Sequence, residues 1–181
     1  RESYSALNLS VEFWKEFKMF DNIVICQTDA LLLKNIRSLV EHGYAYIGSS
    51  WPEKKCRLLF GKIYDDYKKH FFLPHVNLSV GNGGVSFRNV SSSLEVVERI
   101  NSFWLSDRLV SGATNEDIVF SYFFKRYRYS VPTSEQADKI FLESGARGLY
   151  QRPDIFGFHA LKRFNPQLES LIFEEFSTIW S

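Results

Sequence analysis

Three polar residues, Gln27, Thr28 and Asp29, follow the apolar run 22–26 and are the first place where the sequence could do chemistry. The β-branched residues of this run favour a strand buried on both faces, as in parallel or mixed α/β sheets. An aspartate at the end of such a strand is held rigidly and can bind a hard cation such as Mg²⁺ or Mn²⁺. Its commoner role is to cap the segment that follows, and spacing alone leaves both interpretations open.

A glycine-rich segment, Gly81-Asn82-Gly83-Gly84, precedes an alternating strand pattern that reaches Arg88. Glycines let the backbone approach a ligand closely, and the amide of Asn82 can donate and accept hydrogen bonds. The alternative is a tight turn entering the strand, since Asn-Gly is a strong turn signal. The segment is not a phosphate-binding P-loop, because no Gly-Lys-Ser/Thr follows it.

An acidic pair, Glu116 and Asp117, stands at the start of a helix predicted to begin at Thr114. Such carboxylates interact favourably with the helix dipole, and Thr114 with Asp117 could simply cap the helix. The functional alternative is a general base that takes a proton from a nucleophilic hydroxyl, with the second carboxylate binding the substrate.

His159 ends the motif Phe156-Gly157-Phe158-His159. Neutral imidazole binds transition metals well. A lone histidine between aromatic residues is more often a packed, hydrogen-bonded residue of the core, so the motif leaves both roles open.

Strands alternating with helices must position these residues, and this pattern predicts a layered α/β domain. The region from Pro52 to Val80 is predicted to be loop or irregular helix. The predicted strands are 22–26, 44–48 and 85–88, and the predicted helices are 10–20, 92–103, one from 114, one from 133, and 164–180.

The composition is that of one globular domain: 181 residues, 45% of them hydrophobic and 17% aromatic. A net charge of +1 gives no field that would attract nucleic acid. Cys26 is expected to be a buried thiol, which favours a reducing, cytoplasmic compartment. No apolar run approaches a membrane span, and no signal peptide is visible at the start. The missing initiator methionine suggests a piece of a longer chain.

The order of these motifs is more informative than any one of them. Together they resemble a poorly characterised family of glycosyltransferase-like domains related to the GT-A glycosyltransferases, over roughly residues 7–161. The motifs that carry the resemblance are Gln27-Thr-Asp29, Tyr46-Ile-Gly48 with Trp51-Pro52, Gly81-Asn-Gly-Gly-Val-Ser-Phe-Arg88, Asn115-Glu-Asp-Ile-Val-Phe120 and Phe156-Gly-Phe-His159.

The resemblance implies a single glycosyltransferase-like domain over 1–181, with a GT-A-like mixed sheet flanked by helices. It implies transfer of a sugar from a nucleotide-diphosphate donor to a hydroxyl of a glycan or glycolipid. Asp29 and His159 would hold Mn²⁺ or Mg²⁺, and Asp117, or Glu116, would act as general base. The substrate-binding residues would be Gln27, Thr28, Trp51, Asn82, Gly83 and Gly84.

Two features depart from the family's pattern. Gln27 supplies a neutral amide where many relatives carry a carboxylate, which should weaken metal affinity. There is room for only one helix before the Asp29 strand, so the unit that binds the nucleotide base is truncated, reduced or supplied elsewhere. A non-catalytic carbohydrate-binding module is therefore the second hypothesis. A metal-dependent phosphoesterase ranks last, because it needs more carboxylates and histidines in paired motifs.

Overall fold

The computed structural model describes residues 2–59, 62–65, 76–81, 83–102, 115–143 and 155–160, with isolated positions at 166, 167, 170 and 174. Within these ranges the chain folds as a mixed α/β structure with three three-stranded sheets. The coarse α/β class predicted from the sequence is confirmed. None of the helices in this part of the chain is long and apolar enough to cross a membrane.

The first sheet contains the strand that precedes the segment Gln27-Thr28-Asp29. Its strand order is β1-β7-β3, from β1 (Asn22–Cys26), β7 (Val85–Asn89) and β3 (Tyr46–Ile47). β7 lies in the middle and is antiparallel to both neighbours, with Cys26 opposite Val85. The pairing continues past the strand ends, since the Gln27 backbone N–H donates to the Gly84 carbonyl at 2.7 Å. The loop after β1 is therefore fixed to the segment before β7.

The second sheet lies where the sequence predicted loop or irregular helix, and that prediction is wrong. Its order is β5-β4-β6, all antiparallel, from β4 (Ser49–Leu59), β5 (Lys62–Asp65) and β6 (Val76–Gly81). The register between β4 and β6 shifts between Ser50 and Lys54, which is where Pro52 stands. Proline has no N–H to donate, so it is tolerated in a sheet at such an irregularity.

The third sheet is mixed, and His159 ends its central strand. Its order is β2-β9-β8, from β2 (Ala30–Leu32), β9 (Gly157–His159) and β8 (Phe141–Leu142). β9 is antiparallel to β2 and parallel to β8. The Ala160 N–H also donates to the Asp29 carbonyl at 3.1 Å, so the Asp29 backbone is tied to the end of β9.

The helices are short except for two that pack on the sheets. The bounds are α1 Glu2–Asn8, α2 Val11–Glu16, a 3-10 helix Ile36–His42, α3 Val90–Ser102, α4 Glu116–Arg126 and α5 Ser134–Ala137. Two helices thus precede β1, where the sequence left room for one. Of the predicted C-terminal helix, only positions 166, 167, 170 and 174 are described, and they are helical. Thr114 lies outside the described residues.

The main core lies between α4, α3, the N-terminal helices and the first two sheets. Its largest fully buried apolar side chains include Trp14, Tyr46, Phe120 and Phe124. β1 itself is less buried than predicted. Its first four residues are only half-buried and Cys26 is exposed, so the prediction of a buried thiol is wrong. Residues 22–25 line a groove of about 460 Å³ between β1 and the N-terminal helices, together with Leu7, Phe13 and Phe17 among others, which leaves these strand residues partly exposed.

Candidate active site

The two consecutive glycines, Gly83 and Gly84, lie where the chain passes from β6 to β7, and both are buried. A β-carbon on Gly83 would overlap Oε1 of Glu116, and one on Gly84 would overlap the imidazole ring of His159. Only glycine lets both side chains come this close to the backbone. Glu116 and His159 therefore pack against two consecutive residues of the backbone, Gly83 and Gly84.

His159 lies between two carboxylates, because β8 and β9 end at the same edge of the third sheet at which β2 begins. Asp29 precedes β2, Glu143 follows β8 and His159 ends β9. His159 Nε2 is 3.0 Å from Asp29 Oδ1, and His159 Nδ1 is 3.3 Å from Glu143 Oε1. Each ring nitrogen thus has its own acidic partner.

The carboxylates set the protonation of the ring. Burial lowers the pKa of His159, but the hydrogen bond to Glu143 and the charges of Asp29 and Glu143 outweigh it. The net result is a pKa raised above the usual histidine value. Without a bound metal, the fraction of His159 in the imidazolium form is therefore larger than that of a free histidine at the same pH.

The facing pair of Asp29 and His159 fits one edge of a divalent metal site. Two ligands at right angles, each about 2.1 Å from a metal, are about 3.0 Å apart, which is the separation of Oδ1 and Nε2. The described residues contain no group of three or more His, Cys, Asp or Glu side chains that converge on one point. Mg²⁺ is commonly bound through only one or two carboxylates, with phosphate oxygens of a ligand and water completing the shell.

Glu116 is a buried carboxylate whose two oxygens are both engaged. Oε1 is 3.5 Å from Nη2 of Arg88, and Oε2 accepts a hydrogen bond from the Ser5 hydroxyl at 3.1 Å. The Arg88 side chain is completely buried, its Nε donates to Ser86 Oγ, and its guanidinium lies 4.7 Å from the centre of the Phe120 ring. A buried charge needs such partners, so the pair and its aromatic surroundings have a structural role.

Asp117 differs from Glu116 in exposure and contacts. It lies in the first turn of α4 and is half-buried, and its Oδ1 accepts a hydrogen bond from the Ile118 N–H at 2.7 Å. Negatively charged side chains interact favourably with the helix dipole at this position. Of the acidic pair, Asp117 is thus the more exposed carboxylate.

Helix α1 covers the glycine segment. The Tyr4 hydroxyl donates to the Gly83 carbonyl at 2.8 Å. Burial raises the pKa of Tyr4, a side-chain hydrogen bond with Gln27 lowers it, and the charges of Glu116 and Asp117 raise it. The Tyr4 hydroxyl therefore lies among Gln27, the glycine segment and the acidic pair.

The structure brings together most of the residues predicted from the sequence. Around the glycine segment and the ends of β1 and β9 lie Gln27, Asp29, Gly83, Gly84, Glu116, Asp117 and His159. Thr28 is exposed in the loop after β1. Trp51 lies in β4, where only its backbone is described, and Asn82 is outside the described residues.

Sequence reasoning missed four residues of this site: Tyr4, Ser5, Arg88 and Glu143. The signal for Glu143 was a carboxylate directly after the apolar run 140–142, the same pattern that identified Asp29. For Arg88 it was a polar face, shared with Ser86, on a strand whose other face is apolar. The structure buries both residues completely.

Fold and site thus define a mixed α/β domain with an acid–histidine cluster beside a two-glycine segment. The chain belongs to the family described as protein of unknown function (DUF5672), whose model matches residues 1–159. No curated protein and no solved structure matches significantly. The matched region contains every site residue named above, from Tyr4 to His159.

Proposed function

We propose that this domain is a metal-assisted glycosyltransferase that moves a sugar from a nucleotide-diphosphate donor to a hydroxyl of a glycan or glycolipid. One observation carries the proposal. Asp29 Oδ1 and His159 Nε2 lie 3.0 Å apart, and the ring of His159 packs against Gly84. A carboxylate and an imidazole at this separation suit a divalent cation beside a backbone that a ligand can approach closely.

Asp29 and His159 would hold Mn²⁺ or Mg²⁺, which would neutralise the charge that develops on the leaving diphosphate. Asp29 is the more accessible of the two, with 60% of its side chain exposed against 12% for His159. Donor phosphates would therefore approach from the Asp29 side. The neutral Gln27 adds no charge at this position, so the diphosphate itself would supply much of the attraction for the cation.

Asp117 is the better candidate for the general base. Glu116 already compensates the buried charge of Arg88 and accepts a hydrogen bond from the Ser5 hydroxyl, so protonation of Glu116 would disrupt that pairing. Asp117 is half-buried in the first turn of α4, and its Oδ1 accepts a hydrogen bond from the Ile118 N–H. It would accept the proton of the acceptor hydroxyl as that hydroxyl attacks the sugar.

The GT-A-like form of the fold belongs to the same proposal. Its support is the motif order of the sequence, together with a mixed arrangement of strands around the predicted site. In this arrangement Gln27, Thr28, Trp51, Asn82, Gly83 and Gly84 would bind the donor and the sugar.

The test is sugar transfer from a panel of uridine- and guanosine-diphosphate sugars with Mn²⁺, measured as nucleoside diphosphate released in the presence of oligosaccharide acceptors. Asp117→Asn should abolish transfer and leave donor binding nearly intact. Asp21→Asn, an exposed aspartate before β1, is the matched control and should leave both unchanged. Full transfer activity in Asp117→Asn would contradict the assigned base.

A non-catalytic carbohydrate-binding module is the second candidate function. The observation that favours it is the commitment of Glu116 to Arg88, which leaves a single carboxylate of the pair for catalysis. This module would bind oligosaccharides without metal and without any nucleotide. Calorimetry with oligosaccharides in the presence of a chelator separates the two functions.

A further inference from the structure

Glu143 is a carboxylate of the site that no motif of the sequence singled out. It follows β8 and lies beside His159, with its Oε1 3.3 Å from Nδ1. The opposite nitrogen of the ring, Nε2, is the one that faces Asp29 at 3.0 Å. The two carboxylates therefore contact different nitrogens of one imidazole.

The exposure of the two carboxylates differs in a way that selects one tautomer. The Glu143 side chain is 21% exposed and that of Asp29 is 60% exposed. A hydrogen bond to a carboxylate is stronger where water is largely excluded, because the local dielectric is lower. When the ring is neutral, its single proton should thus stay on Nδ1 beside Glu143, and Nε2 should keep its lone pair.

We infer that Glu143 is a positioning residue: it holds His159 as the Nδ1–H tautomer and orients Nε2 toward a divalent cation shared with Asp29. This inference rests on the proposed function for the identity of the cation. A ligating histidine usually donates its other N–H to a carboxylate or a carbonyl, and loss of that partner typically lowers metal affinity about 10–100-fold. Glu143 supplies such a partner from a neighbouring strand.

The orientation has a backbone cause as well. β8 and β9 are parallel, with Leu142 opposite Phe158, so the residues that follow, Glu143 and His159, fall side by side. The His159 ring also packs against Gly84, where any side chain would overlap the ring. The imidazole is therefore held by strand register, by a glycine and by a carboxylate together.

The tautomer is measured directly by long-range ¹H–¹⁵N correlation on the full chain labelled with ¹⁵N-histidine, at a pH where the His159 ring has titrated to its neutral form. The His159 cross-peaks are assigned by their loss in His159→Gln. The wild-type protein should show Nδ1–H, and Glu143→Gln should shift the ring toward Nε2–H, since Asp29 is then the carboxylate that remains beside it. Glu135→Gln, an exposed glutamate paired with Lys139, is the matched control and should leave the tautomer unchanged.

Metal binding is measured on the same proteins by titrating Mn²⁺ alone and following the free ion by electron paramagnetic resonance. Glu143→Gln should bind Mn²⁺ about 10–100-fold more weakly than the wild type, whereas Glu135→Gln should match the wild type. An unchanged tautomer, or an unchanged Mn²⁺ affinity, in Glu143→Gln overturns the inference. A wild-type protein that binds no Mn²⁺ but keeps a Glu143-dependent tautomer contradicts the proposed function while supporting the orienting contact.

Discussion

Glu116 and Arg88 form an ion pair in which neither side chain is more than 4% exposed, with Oε1 and Nη2 3.5 Å apart. The pair joins the first turn of α4 to β7, the strand that follows the glycine segment. It therefore couples the helix that carries Asp117 to the sheet that positions Gly83 and Gly84. Such buried pairs are costly to break on one side only, because the remaining charge is left without a partner.

Glu116→Gln should lower the free energy of unfolding by about 3 kcal/mol or more, since Arg88 would stay buried without its counter-charge. Urea denaturation of the purified chain measures this. Glu135→Gln is the matched control, because that glutamate is 85% exposed and exposed pairs contribute only about 0.2–1 kcal/mol. Equal stability of the two variants would show that Glu116 is not held as a buried charge.

Gly84→Ala should displace the His159 ring, because the added β-carbon would overlap it. We expect a lower melting temperature and shifted His159 resonances in the ¹H–¹⁵N spectrum. Gly43→Ala is a useful contrast. Gly43 has a φ of +64° with no heavy atom near the added carbon, so that variant should lose about 1–2 kcal/mol from backbone strain alone. Gly43→Ala should leave the His159 resonances unchanged. If Gly43→Ala also shifted these resonances, the shift in Gly84→Ala could not be assigned to a local overlap with the ring.

The raised pKa of Tyr129 predicts how the free energy of unfolding changes at alkaline pH. Burial, then its hydrogen bond to Glu95, raises the pKa of Tyr129 from 10.0 to about 12. Because the folded state holds this proton more tightly than the unfolded chain, the associated stability is complete below pH 10.0 and is lost as the pH rises through about 12. The difference between wild type and Tyr129→Phe in absorbance at alkaline pH reports the ionisation. A Tyr129 that ionises at pH 10.0 would contradict the contact with Glu95.

Local signals in the sequence predicted much of the helical structure. Ser10 caps α2 by accepting a hydrogen bond from the Phe13 N–H, and Thr133 with Gln136 forms a capping box at the start of α5, the helix predicted from 133. These interactions span only three residues, so the local sequence determines them. Local patterns also predicted a strand at 85–88 and a helix from 114, and the structure has β7 at Val85–Asn89 and α4 at Glu116–Arg126.

The second sheet escaped prediction because its pairing is not local. β4 carries the polar run 53–57 through the middle of a sheet, without the apolar alternation that marks a half-buried strand. Its hydrogen-bonding partners come from β5 and β6, farther along the chain. Strand propensity in such a segment is decided by those partners rather than by its own residues.

The candidate site was likewise predictable only in its local features. The residue types indicated possible chemistry at Asp29, Glu116, Asp117 and His159. No feature of the local sequence, however, predicted that His159 lies between Asp29 and Glu143. That arrangement arises from the parallel pairing of β8 with β9 and the antiparallel pairing of β9 with β2. The burial of Arg88 was likewise invisible, because its aromatic surroundings come from distant segments, with Tyr46 and Phe120 among them.

The most direct test of the central claim is calorimetric titration of uridine and guanosine diphosphates into the chain, with and without Mn²⁺. The account predicts binding that requires Mn²⁺, is lost in Asp29→Ala and is retained in Asp21→Ala, an exposed aspartate at the other end of β1. The base of the nucleotide that binds would identify the donor. Binding that is independent of Mn²⁺, or that survives intact in Asp29→Ala, would contradict the metal-assisted transferase. Absence of binding by every nucleotide would contradict it as well and would favour the carbohydrate-binding module.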